Sequence, residues 1–256
     1  MTMLVRAELE KLRTTGMPWA LLAASTALTL ALALLRAIRS SGGNASARLA
    51  AGPLSTAHGL TDVLASPAYA MILAMALGAA ITAGEFRHGT ATVTYLAVPV
   101  RTRVLTAKCC AVLPAGALFG IAASAANTAV GLAFVAAHGY HLAVPAATII
   151  RYAAGDAIGC ALLAALGVAA GTLIRSQVAV VITVFAWAFL IEGALGAVSG
   201  SIVPYLPFQA ATSLAGATLP GGSMPLPFAA AAAVTAGAAF LLAAAAARIT
   251  LPRDIT

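Results

Sequence analysis

Charge is what this chain has least of. Only 8% of its 256 residues are Asp, Glu, Lys or Arg, against about 25% in an ordinary soluble protein. So few charges cannot cover a folded surface of this size with polar groups. Hydrophobic residues make up 62% of the chain, and its mean hydropathy is +1.00. A soluble enzyme and a disordered chain are both excluded, and an integral membrane protein remains. Cysteine is scarce: Cys109, Cys110 and Cys160 lie in or beside apolar runs and form neither a disulfide framework nor a zinc spacing. Lysine is scarcer still. Lys11 and Lys108 are the only two, and neither follows a glycine, so the chain has no phosphate-cradling loop of the G-x-x-x-x-G-K-[ST] kind.

Catalytic arrangements are missing too. There is no H-E-x-x-H. Asp156 has no second membrane aspartate with which to share a proton, and Ser199 does not stand in G-x-S-x-G. The pair His138 and His141 offers too few ligands for a metal. The net charge of +7 would suggest nucleic acid in a soluble protein. Here the basic residues sit at the ends of apolar runs, which is the pattern of topology signalling toward anionic lipid headgroups, not of nucleic-acid binding.

What is present is a series of apolar runs. A span takes about 20 residues, so the chain has room for about six helices plus loops. The spans are expected at about 17–35, 63–83, 109–137, 152–174, 178–198 and 228–247. Residues 3–15 precede them. Val5, Leu9 and Leu12 share one helical stripe and Arg6, Glu10 and Arg13 another, which makes an amphipathic helix lying along the membrane surface. Residues 36–62 read as a polar connection. Between spans five and six, 199–227 carries five prolines and no charge. It is too apolar for a free loop and too broken for a span. Such backbone must be buried in protein or face water, so short re-entrant or interfacial helices at the outer face are expected there.

Six spans place both termini on one side. With the termini inside, ten Lys and Arg fall inside and four, Arg36, Arg39, Arg48 and Arg151, fall outside. The bias puts both termini in the cytoplasm. Arginine-over-lysine, alanine-rich usage points to a GC-rich bacterial genome, hence a multi-pass protein of a bacterial cytoplasmic membrane. The spacings Gly116/Gly120, Gly155/Gly159, Gly167/Gly171 and Gly196/Gly200 support close helix packing and, weakly, a dimer. Arg151 and Asp156 are expected near the outer end of span four, where snorkelling to the interface is cheap. Glu192 is placed differently. It lies about fourteen residues into span five, or ~21 Å at 1.5 Å per residue, roughly two-thirds across a ~30 Å core. A charge there must be protonated, hydrogen-bonded or turned to a wet cavity. Two readings stay open, a pathway or gate residue and a helix–helix hydrogen bond.

The densest polar stretch is 84–108, between spans two and three. It opens Gly84-Glu-Phe-Arg-His-Gly-Thr90 and runs through Pro99, Arg101 and Arg103 to Lys108. Together with Ala7-Glu-Leu-Glu-Lys-Leu-Arg-Thr-Thr15, Val98-Pro-Val-Arg-Thr-Arg-Val-Leu-Thr-Ala-Lys108 and Tyr205-Leu-Pro-Phe208, it resembles the membrane subunits of ABC-2 type (type II exporter-like) ABC transporters, particularly those of actinobacteria. The resemblance follows the whole chain in order. It implies an all-α permease of six transmembrane helices with an N-terminal surface helix, a cytoplasmic coupling helix after span two and re-entrant helices before span six. It implies a dimer, with a second copy or a related permease, working with two copies of a separate ABC ATPase subunit. That partner would hold ATP and Mg, and this chain would carry no cofactor. By the same resemblance Glu85, Phe86, Arg87, His88, Gly89, Thr90 and Thr92 are the coupling residues. Glu8, Lys11 and Arg13 belong to the connecting helix beside them. The implied activity is export of hydrophobic or amphiphilic small molecules, lipids or peptides. The rival class is a six-span membrane enzyme or ATPase-independent carrier, which would need a convergent set of polar groups within the spans. Only Glu192 and Asp156 offer themselves for that.

Overall fold

In the computed structural model the chain is described at residues 1–41, 55–65, 68–98, 100–142, 144–219 and 223–249. Every regular element among them is helical. A short helix α1 (Thr2–Thr14) turns at Thr15 into α2 (Gly16–Ser41). After 42–54, which lie outside the described residues, come α3 (Ala57–Leu64) and α4 (Ala68–Arg87). Next are α5 (Thr90–Ala97), α6 (Arg101–Ala137) and α7 (Ala146–Ile174). Then α8 (Gln177–Ala186) passes through a single π-helical turn, Trp187–Ile191, into α9 (Glu192–Val198). A 3-10 turn at Val203–Tyr205 leads to α10 (Pro207–Leu214), and α11 (Phe228–Ile249) closes the bundle.

Six helical stretches are long and apolar enough to cross a membrane: Gly16–Ser40, Ala57–Arg87, Arg101–Ala137, Ala146–Ile174, Gln177–Val198 and Phe228–Ile249. These are the six expected spans, with shifted ends. The expected second span, 63–83, straddles a break: Val63 and Leu64 end α3, and α4 starts at Ala68. The polar stretch 84–108 is largely helical. Helix α4 continues to Arg87 and α6 begins at Arg101, because threonine, arginine and lysine side chains are tolerated in a helix turn that leaves the apolar layer. What remains between them is 88–100, most of it α5.

Helix α7 is the hub. It packs against α4, α6, α8, α10 and α11, and small residues let it do so. A side chain at Gly167 would collide with the Met75 carbonyl of α4, one at Gly155 with the Leu214 carbonyl of α10, and one at Gly120 of α6 with the Asp156 carbonyl. Three of the four glycine spacings read from the sequence are therefore helix–helix contacts of the small-residue kind. The fourth, Gly196/Gly200, lies at the end of α9 beside Val203 and Ser223 and joins no pair of spans. The core runs through α4 and α7, where Met71, Ile72, Leu77, Leu163 and Val168 are almost fully buried. Leu28, Leu30, Leu34 and Ile38 of α2, and Ile182 and Leu190 of the α8 stretch, point outward.

Candidate functional site

At one end of the bundle the N-terminal helix, the end of α4 and the start of α6 meet through charge. Lys108 sits about two turns into α6 with a side chain 5% exposed. Its ammonium donates to Glu8 Oε2 at 2.8 Å and to Glu85 Oε1 at 2.6 Å. Lys11 donates to Glu8 Oε1 at 2.8 Å and to Glu85 Oε1 at 3.0 Å. Both lysines of the chain and two of its four glutamates thus form one closed, neutral cluster. Lysine suits this: a compact ammonium with rotatable donors can serve two carboxylates on different helices. For Glu8, burial works to raise the pKa, and the charge and hydrogen bond of Lys108, then those of Lys11, overcome it and hold the carboxyl below its ordinary range. For Lys11, burial works to lower the pKa, and Glu8 and Glu85 overcome it and raise it.

The rest of the segment builds upward from this cluster. Phe86 lies under the Arg175 guanidinium, 5.3 Å from ring centroid to Cζ. Arg87 donates to Gln177 Oε1 at 3.2 Å. Both contacts tie the end of α4 to the turn joining α7 and α8. Gly89 has φ +69, a left-handed backbone that non-glycine residues rarely take, and it lets the chain reverse from α4 into α5. Thr90 donates from its hydroxyl to the Glu85 carbonyl at 3.4 Å. His88 and Thr92 are exposed. Helix α5 is seated by Ala91, which is 2% exposed, while Val93 and Leu96 project at 68% and 80%. Arg101 stacks over Tyr95 at its far end.

Of the residues singled out in the sequence, Glu8, Lys11 and Glu85 are in direct contact. Phe86, Arg87, Gly89 and Thr90 are their immediate support. Arg13 is exposed and stands apart from the cluster. Lys108 was placed only at the end of the polar stretch, yet it is the cluster's most buried cation. The available signal was the rarity of lysine in a chain that otherwise uses arginine.

Glu192 occupies a second, separate centre. It is 1% exposed. Its Oε1 accepts from Trp187 Nε1 at 2.7 Å and from the Phe208 N–H at 3.0 Å, and its Oε2 accepts from the Gln209 N–H at 3.1 Å. Phe208 and Gln209 are the second and third residues of α10, whose first residue is Pro207. The N–H groups at the start of a helix have no partner within it. Leu206, before Pro207, offers no side-chain cap. Glu192 supplies the missing acceptors from another element, at the positive end of α10. The π-helical turn begins at Trp187, which puts the indole within reach of a residue five positions on. These three hydrogen bonds fit both readings left open for Glu192.

Asp156 departs from expectation. It is 0% exposed and packed in the seam between α6 and α7, with its carbonyl against Gly120, so it does not snorkel to an interface. The close approach that Gly120 permits closes the seam over it. Its carboxyl lies beside the Ser124 hydroxyl of α6 in that seam. Among the described residues there is no group of three or more His, Cys, Asp or Glu able to hold a metal. No protein-family model matches the chain, and no curated protein matches it.

Proposed function

We propose that the chain is the membrane-spanning permease subunit of a type II ABC exporter, driven by ATP hydrolysis on a separate subunit. The observation that carries this reading is α5. It is a short helix at the polar end of an apolar bundle, it exposes Val93 and Leu96 to solvent, and its base is fixed by the Glu8–Lys11–Glu85–Lys108 cluster. An exposed aliphatic pair on a rigidly mounted helix asks for a protein partner. A rigid mounting is what a helix needs in order to pass on a push.

On this reading α5 and its flanks, Glu85 to Thr92, are the coupling element, and α1 is the connecting helix. The cluster lies on the cytoplasmic side of a bacterial membrane, with both termini. Closure of two ATPase copies presses on α5. The push passes through Glu85 and Lys108 into α4 and α6, and two permeases switch their common path from inward to outward access. Helix α10 is then the re-entrant element near the outer face, with Glu192 holding its start and bordering the outer gate. ATP and Mg belong to the partner, and the cargo is a hydrophobic or amphiphilic small molecule, lipid or peptide.

The test is purification from the native membrane followed by ATPase assay. A subunit with nucleotide-binding motifs should co-purify. Leu96→Asp and Arg87→Glu should each uncouple the complex, lowering permease-stimulated ATP hydrolysis at least about tenfold, which is the loss of ~1.4 kcal/mol of docking. Glu85 is unsuitable for this test because it also holds the cluster together. Reproducible purification without any ATPase, or undiminished stimulation in both variants, would sink the proposal.

A further inference from the structure

Helices α8 and α11 both pack on α7 but do not run along each other. Between them lies a cavity of about 260 Å³. Its floor is Leu163, Leu166 and Ala170 of α7, and Met75 of α4 closes the back. Leu242 of α11 and Val184 of α8 also line it. On the rim, Thr183 and Trp187 are exposed and Ala238 is half-buried, so the space has an opening between these two spans.

The lining decides the chemistry of the occupant. The one hydroxyl in it, on Thr183, already donates to the Ala179 carbonyl at 2.8 Å. The indole N–H of Trp187 is held by Glu192. A ligand therefore finds no free side-chain donor and only the Thr183 oxygen at the exposed rim as an acceptor, so a polar molecule would give up most of its own hydrogen bonds on entering. The volume decides the size. An apolar cavity of about 150 Å³ holds benzene, and sites for whole drug-sized ligands begin near ~300 Å³. A space of 260 Å³ fits one segment of hydrocarbon chain, with the rest of its molecule outside.

The roof is the second observation. It is formed by Trp187, Pro207 and Phe208. The Trp187 indole and the Phe208 backbone converge on Glu192 Oε1. The one acid of the α8 stretch thus fixes two neighbouring parts of one cavity roof and the start of α10 together. We infer that this cavity is a binding site for a single hydrocarbon chain of a membrane-dissolved amphiphile, entering from the bilayer between α8 and α11, with the Trp187–Glu192–Phe208 knot as its roof. The inference rests on the six helices lying in a membrane and is independent of the ATPase reading.

The experiment uses the full chain in lipid nanodiscs and a fatty acid carrying a photoactivatable diazirine in mid-chain, with labelled residues mapped by mass spectrometry. Label should concentrate on Leu163, Leu166 and Ala170, and an excess of unlabelled fatty acid should compete it away. Ala170→Phe on the floor and Ala238→Phe on the half-buried rim each fill the space. Either should lower that label about tenfold, the effect of displacing one or two methylenes from an apolar site. Label spread over Ile182, Phe240 and Leu241, the outward faces of the same helices, and neither competed nor changed by the two variants, would overturn the site and leave only bulk lipid contact.

Discussion

The molecule buries two carboxylate centres in opposite ways. At the α1–α4–α6 junction Glu8 and Glu85 are matched by two ammonium groups, charge against charge. At the π-helical turn Glu192 is matched by neutral donors alone, an indole and two backbone N–H groups. The first centre joins three helices through long side chains that can exchange partners. The second fixes a helix start through main-chain groups that cannot move without unwinding it. An ion-pair junction therefore ties three helices to one another as a joint, while the capped helix start behaves as a fixed strut.

The largest difference should appear on removing each acid's charge and acceptors altogether. Glu192→Leu leaves the buried Phe208 and Gln209 N–H groups without partners and frees the partly exposed Trp187 indole. At about 1–3 kcal/mol for each orphaned group, the loss should reach about 4 kcal/mol. Glu192→Gln keeps an acceptor oxygen for Trp187 and Phe208 but turns an NH₂ toward the Gln209 N–H, for a loss of about 1–2 kcal/mol. Denaturant unfolding in mixed micelles measures both. A leucine variant within about 1 kcal/mol of the parent would mean that water or lipid headgroups readily replace the carboxylate.

Removing the buried cation comes next. Lys108→Met strips Glu8 and Glu85 of their most buried partner and should cost about 3 kcal/mol, the low end for breaking a buried pair because Lys11 still contacts both acids. Glu8→Gln made together with Lys108→Met should recover part of the loss, since the uncompensated charge goes with it. Strictly additive costs would show that the helices are held by packing and not by the cluster. Lys108→Arg is not a conservative test, because the planar guanidinium cannot take the ammonium's place between carboxylates of two different helices.

The two centres also differ in how far the sequence revealed them. The six apolar stretches were legible because hydrophobic length is a local property of the chain. So were the glycine spacings, although their partner helices were not. Glu8, Lys11 and Glu85 were singled out as neighbours of one working surface. Their pairing with Lys108 was hidden because it joins residues 23 and 100 positions apart, and only the packing of α1 against α6 brings them together. Glu192 was legible as a deep acid, but its partners were not, since two of them are backbone groups that every sequence possesses. For Asp156 only its position along the span was legible. Counting residues from the end of a span gives depth, yet it says nothing about which face is sealed, and the sealing comes from Gly120 on another helix.

The smallest effect is the most selective. Lys11 has 47% of its side chain exposed, so Lys11→Met should cost less than about 1 kcal/mol, and less again at high salt. The pH response should nonetheless separate the two centres. The pKa of Glu8 is held below its ordinary 4.5, so its contribution is complete above that value and is lost as acid takes the pH below it toward the folded pKa. The pKa of Lys11 is raised above its ordinary 10.5, so its contribution is complete below that value and fades as alkali takes the pH above it. Between those limits the α1 junction should hold a plateau of stability. In Lys11→Met the alkaline edge should weaken while the acid edge, set first by Lys108, remains. Hydrogen exchange at α1 and α10, followed across pH and salt, reads both centres in one sample. Salt should loosen α1 and leave α10 unchanged, because only the first centre joins charge to charge. Equal loosening of the two would erase the distinction between joint and strut.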